Sequence, residues 1–276
     1  MNDTPRPQQS LATHASRLLD RIEASVTPYD LFAICVTYMV FGHLAENLVD
    51  KTWLRTGDRI LVPIFLISVG YNVGRKVDWK LATLAVLVSF MRWFMIHHWL
   101  RPLAPGAFSV LVTIVATRLM IEPLMRFALK SRFHFWGVNI VLAALAPYTN
   151  SHVAAYGTLG VLLAMAGWMA RSRDEVPAKV VNVGWYFVAL FCYYVAFNMS
   201  LVGFSALQLG LVIAGGALVF RLLYDMRRLL RTSLRRKQTD LVGRVCRFVG
   251  SNSLEIYALH MFVYYAIYYY AFIVPA

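Results

Sequence analysis

Histidine, arginine and glutamate side chains interrupt segments that are otherwise apolar enough for hydrocarbon, and their depths coincide. In "VFGHLAENLVD", His43 stands 13 residues beyond Asp30, about 20 Å along a helix. Arg92 stands 13 residues beyond Trp79, again about 20 Å. Arg59 falls in the first turn of the segment "GDRILVPIFLISVGYNVG", which runs the opposite way. Three segments thus bring an imidazole and two guanidiniums to one level, in the outer third of a membrane. A charge at such a depth costs roughly 2.5–3.5 kcal/mol on insertion scales, so function is the default reading of each. The chemistry would be proton removal by the imidazole beside cations that stabilise a developing anion. Glu46 and Asn47 follow His43 at i+3 and i+4, on the same helical face. Glu46 either orients the imidazole or is simply a headgroup-level residue at a helix end.

The last apolar segment carries a second constellation, "SNSLEIYALHMFVYYAIYYY". Ser253, Tyr257, His260, Tyr264 and Tyr268 recur at three- and four-residue steps and form one helical stripe, with Glu255 near its start. A polar stripe of that length faces protein or a water-filled passage, not lipid. Passage lining and an ordinary hydrogen-bonded helix interface are the two readings. Elsewhere, Arg118 and Glu122 stand four apart and are read as a structural ion pair, and His97 and His98 as interfacial residues. Cys35, Cys192 and Cys246 offer neither a disulfide framework nor metal-ligand spacing. The chain lacks a phosphate-binding glycine loop, a G-x-S-x-G elbow and an H-E-x-x-H pair, so no soluble catalyst and no metal site is expected.

The elements that must position these groups follow from composition. Of 276 residues, 59% are hydrophobic and only 15% charged, where a soluble domain carries about a quarter. The apolar residues are gathered into blocks near the roughly 20 residues that span hydrocarbon. Nine spans are predicted, at about 29–48, 57–74, 79–96, 106–125, 134–149, 152–170, 178–198, 203–224 and 250–274. The fold class is therefore all-α, a polytopic membrane bundle. Residues 1–28 form a polar cytoplasmic segment without a cleavable signal, and 29–276 a single membrane domain with a basic cytoplasmic loop at 225–249. Twenty of the 27 lysines and arginines fall in alternate loops and three in the others, which places the N-terminus inside and the C-terminus outside. The net charge of +13 is then a topology signal and an anionic-lipid contact, and nucleic acid is excluded as a partner.

Three stretches carry a family resemblance: "LFAICVTYMVFGHL", "TGDRILVPIFLISVGYNVGRK" and "FVGSNSLEIYALHMF". Together they resemble the TraX family of membrane acetyltransferases, which includes conjugative pilin acetylases. His43 matches the family histidine; Arg59, Pro63 and Phe65 match its R-x-x-x-P-x-F run; Ser253, Leu254, Glu255, Tyr257 and His260 match its terminal S-L-E-x-Y-x-x-H run. The family commonly has an acidic residue just before the histidine, where this chain has Gly42. The resemblance implies acetyl-CoA as donor, a peptide amine or glycan hydroxyl as acceptor, and a multi-pass protein of the bacterial inner membrane. It implies His43 as general base or acyl carrier, with Arg59 or Arg92 on the oxyanion. Arg75 and Lys76 would meet the nucleotide end of the donor, and the pantetheine arm would pass Ser253, Glu255, Tyr257, His260 and Tyr264. A small-solute transporter or flippase would use the same buried charges, though a doubled architecture is usual there. A non-enzymatic pilus assembly partner is the third class.

Overall fold

The computed structural model describes residues 26–45, 51–72, 77, 79–98, 108–235 and 241–272. Eleven helices are present among them: α1 (Pro28–Ala45), α2 (Lys51–Tyr71), α3 (Trp79–His98), α4 (Val110–Ala128), α5 (Arg132–His152), α6 (Gly157–Arg171), α7 (Val183–Leu201), α8 (Ala206–Tyr224), α9 (Met226–Arg235), α10 (Leu241–Ser251) and α11 (Ser253–Phe272). The described residues are all-helical but for one isolated bridge between Phe108 and Ala154. Local chemistry sets several starts. Thr27 and Asp30 bond reciprocally ahead of α1. Ser131 and Asn182 accept from His134 and Trp185 at the starts of α5 and α7. Ser205 and Gln208 close a capping box on α8.

Nine of the helices, α1 to α8 and α11, lie where the apolar segments predict them. Two of them, α7 and α8, are long and apolar enough to cross a membrane among the described residues. Two expectations need correction. The segment 225–249 is largely helical: α9 and α10 occupy it, and α11 begins only after a break at Asn252. Basic residues there alternate with apolar ones at helical spacing, so Met226 and Leu229 are buried while Arg228 is exposed. In addition, α2 begins at Lys51, so Arg59 lies eight residues inside the helix, about 12 Å from its start, and not in its first turn. His43, two residues from the end of the antiparallel α1, stands nearer the start of α2, so the two backbones do not share the expected level.

The core is centred on α6, where Leu159, Leu163, Ala164, Met165, Ala166 and Met169 are fully buried. Against it packs α2, at contact distance between backbones. A Cβ on Gly70 would stand 1.7 Å from the Ala164 carbonyl oxygen, and one on Gly167 1.7 Å from that of Ile67. Small residues at a crossing allow such an approach. Helix order follows from the contacts. Tyr38 reaches Leu54 and Cys35 reaches Leu61, so α1 and α2 are antiparallel. Phe191 meets Phe220 and Phe187 meets Tyr224, which makes α7 and α8 an antiparallel pair. One end of the bundle, the basic end, gathers Lys80, Arg171, Arg173, Arg227 and the α10–α11 break. The other end holds the starts of α2, α4 and α6.

Large apolar side chains remain on the outside. Phe133 is 92% exposed, Trp79 84% and Trp185 72%, and Phe90, Ile140 and Leu207 are exposed as well.

Candidate functional site

Two polar assemblies are built on α2, one toward each end. At the basic end a cavity of about 310 Å³ opens between α1, α2, α3, α4, α9 and the α10–α11 break. Gly250 sets its floor, because a Cβ there would meet the Tyr29 carbonyl oxygen at 2.9 Å; only glycine lets α10 lie so close on α1. The break at Asn252, whose Nδ2 donates to the Phe248 carbonyl at 2.8 Å, turns Ser251, Ser253 and Glu255 toward the opening. Glu255 sits in the first turn of α11, where the helix dipole favours a carboxylate. Lys80 Nζ reaches Glu255 Oε1 at 2.7 Å, with both side chains substantially exposed. Such an exposed pair is worth at most about 1 kcal/mol and separates easily. Deeper, Arg118 of α4 and Ser68 of α2 line the wall. Ser68 is buried at 3% exposure, and its Oγ has no hydrogen-bond partner among the described residues. An unmet buried hydroxyl on a cavity wall is a position awaiting a polar ligand atom or water.

Nine residues away on α2, about 14 Å, is Arg59. Its Nη1 meets the Tyr156 hydroxyl at 3.4 Å, and its guanidinium lies 5.7 Å from the centre of that ring. The Tyr194 hydroxyl donates to the Arg59 carbonyl at 2.7 Å. Arg59 Nε is buried and has no hydrogen-bond partner among the described residues. Tyr156 precedes α6 with φ 67°, a left-handed backbone that a tyrosine rarely adopts. Its amide donates to Asn150 Oδ1 at 2.9 Å, which helps to hold that geometry. A guanidinium with an unused donor beside a phenol pinned in this way has the chemistry that stabilises an oxyanion. Tyr38 closes the assembly from α1 over Gly57, where a Cβ would lie 2.1 Å from its ring.

No protein-family model, no curated protein and no solved structure matches this chain.

The residues expected from sequence are only partly brought together. Ser253 and Glu255 line the basic-end cavity, as does Phe65. Tyr257, His260 and Tyr264 do not line it. Tyr257 is buried in the core, and His260 stacks edge-on against it at 5.2 Å with Nδ1 3.2 Å from the Ile256 carbonyl oxygen. The stripe therefore divides into a cavity-facing start and a middle engaged in helix packing. Arg59 meets Tyr156 and Tyr194. His43 and Arg92 lie on α1 and α3, but their side chains fall outside the described residues, as do Glu46, Arg75 and Lys76 entirely. Arg118 faces the cavity, and Glu122 lies 4.0 Å from Arg126, so the expected Arg118–Glu122 pair is replaced. Among the described residues no three His, Cys, Asp or Glu side chains are grouped to hold a metal.

Lys80, Ser68, Tyr156 and Tyr194 do not stand out in the sequence as site residues. Lys80 sits at a helix start and reads as a topology charge. Only the break in apolar pattern at "APYTNSHVAAYG" marks the Tyr156 region. Tyr194, inside "LFCYYVAFN", carries no signal that separates it from its neighbour.

Proposed function

We propose that the chain is an integral membrane acyltransferase that moves an acetyl group from cytoplasmic acetyl-CoA to an amine or hydroxyl acceptor at the outer face. In this reading nine helices cross the bilayer, with the N-terminus inside, the C-terminus outside and the basic end in the cytoplasm of a bacterial cell. The exposed apolar side chains of α3, α5, α7 and α8 support that placement, since a soluble surface rarely carries so many. One observation carries the functional reading. Phe65 of the R-x-x-x-P-x-F run and Ser253, Leu254 and Glu255 of the S-L-E run, far apart in the chain, line the same cavity. The TraX-like segments thus meet around a space that also holds Lys80, Arg118 and an unmet serine hydroxyl.

The donor's phosphates would meet Lys80 and the neighbouring Arg75 and Lys76. Opening the Lys80–Glu255 pair costs little, for it is largely hydrated already. The pantetheine arm would run along α2 past Ser68 toward Arg59. His43 then takes the proton of the acceptor amine or hydroxyl as its nitrogen or oxygen attacks the thioester carbonyl. The oxyanion forms against Arg59, whose Nε donor is unused, with the Tyr156 hydroxyl beside it. Collapse breaks the C–S bond, the acetyl group stays on the acceptor, and the CoA thiolate recovers the proton from His43.

The test is transfer from labelled acetyl-CoA in proteoliposomes to peptide amines and sugar hydroxyls supplied on the opposite side. Wild type should yield acetylated product, and His43→Ala should lose at least 100-fold while still binding acetyl-CoA. Equal product from His43→Ala removes the general base. Label crossing with no covalent product replaces the enzyme by a transporter.

A further inference from the structure

The helix pair α7–α8 carries an outward groove of about 510 Å³, lined by Trp185, Val188, Phe191, Phe220 and Tyr224 and ending at Arg221. Among the described residues these are the two helices whose length and composition suit a membrane span. A second space, about 270 Å³, adjoins it at the basic end, lined by Arg173, Asp174, Asp225, Arg227 and Arg228. Tyr224 belongs to both, with the Arg173 guanidinium stacked 3.9 Å from its ring centre. An apolar slot therefore runs directly into a charged cleft. The charges there are unequal: four guanidiniums face two carboxylates. Asp225 is shared between Arg221 and Arg173, and Asp174 takes Arg227 at 2.6 Å.

We propose that groove and cleft form one site for an anionic phospholipid, its acyl chain along Trp185, Phe191 and Phe220 and its phosphate among Arg221, Arg173 and Arg228. Each half has its own physical reason. An apolar groove facing the bilayer loses dispersion contacts unless a chain fills it, and excess arginine at the cytoplasmic mouth of a helix pair attracts a lipid phosphate. Trp185 near the start of α7 and Tyr224 at the end of α8 would, in that placement, stand where amphipathic rings meet headgroups. The site uses the membrane placement proposed above and is independent of acetyl transfer.

Native mass spectrometry of the full chain in detergent tests it, by titrating phosphatidylglycerol against phosphatidylcholine of identical acyl chains. Wild type should hold phosphatidylglycerol about tenfold more tightly. Arg221→Gln should narrow that preference about fivefold and leave phosphatidylcholine unchanged. Ala217 is an exposed groove residue, and Ala217→Trp should weaken both lipids at least tenfold by occupying the slot. Val188→Trp fills it from the facing helix and should do the same, so misfolding of one variant leaves the other to decide. Equal affinity of wild type for the two headgroups overturns the proposal. So does undiminished phosphatidylglycerol binding by a folded tryptophan variant.

Discussion

Replacing Gly167 by alanine adds one methyl group, and the structure states what it meets. The new Cβ would lie 1.7 Å from the Ile67 carbonyl oxygen, 2.8 Å from the Ile67 carbonyl carbon and 2.8 Å from the Tyr71 amide nitrogen. All three are backbone atoms of α2, so no rotamer change clears the overlap. Relief to 3.0 Å requires the helices to part by about 1.3 Å along the contact, since 3.0 Å is the closest approach that real Cβ atoms show. A radial gap of 0.5–1 Å already forfeits about a quarter to a half of each dispersion well. The separation would extend to Leu163, Ala164, Ile64 and Ile67, all buried at 1% exposure or less. Overpacking of ordinary cores costs about 1–3 kcal/mol, and a backbone-on-backbone clash belongs at the upper limit, so about 3 kcal/mol is expected.

Thermal unfolding in detergent, followed by circular dichroism, gives the readout. Gly210→Ala supplies the control, because nothing lies within 4 Å of the Cβ it would add on α8. Removing a glycine from a helix interior favours the helix by about 1 kcal/mol in solution, so the control should unfold no earlier than wild type. Gly167→Ala should unfold several degrees earlier. Coincident midpoints for the two variants would refute the backbone contact of α2 with α6, and with it the placement of Arg59 against Tyr156.

Tyr194→Phe deletes the hydroxyl that donates to the Arg59 carbonyl at 2.7 Å from a fully buried ring, and chemical denaturation should register a loss of about 1–1.5 kcal/mol. Ser205→Ala removes one half of the capping box on α8 and should cost about 1 kcal/mol in the same assay. Lys80→Gln should raise the dissociation constant for acetyl-CoA about tenfold and flatten its dependence on salt, as measured by calorimetry, without changing the unfolding midpoint.

The helices were readable because burial in lipid or protein leaves long apolar blocks, and those blocks need no partner to be recognised. Segment ends were read less well. Lys51 and Arg55 look like loop residues, yet they occupy the first turns of α2, and this puts Arg59 six residues, about 9 Å, farther from the helix start than the sequence suggests. The α9–α10 region looks like a loop by its basic mean composition; its amphipathic period is the better guide, since Met226 and Leu229 are buried in the core. Ser253 and Glu255 were legible as site residues because polar groups at an apolar helix start stand out. Ser68, Lys80 and Tyr156 were not. Their roles depend on which helices cross, and that is fixed by Gly70 and Gly167; Gly70 reads from the sequence as a point of close helix approach, but nothing there names α6 as the helix it meets.

The two polar assemblies share α2, and this constrains any mechanism more than either does alone. Arg59 and Ser68 are joined by nine residues of one continuous helix, so their separation of about 14 Å cannot be shortened by loop motion. Pro63 lies between them and removes one backbone hydrogen bond, which permits a bend, but the Gly70–Ala164 and Gly167–Ile67 contacts clamp the helix on the cavity side of that point. The only freedom left is in the segment that carries Arg59, and Tyr194 restrains it from α7. A group handed from the basic end to Arg59 must therefore travel on a flexible carrier and not on a moving helix. A thioester at the tip of a pantetheine arm is such a carrier.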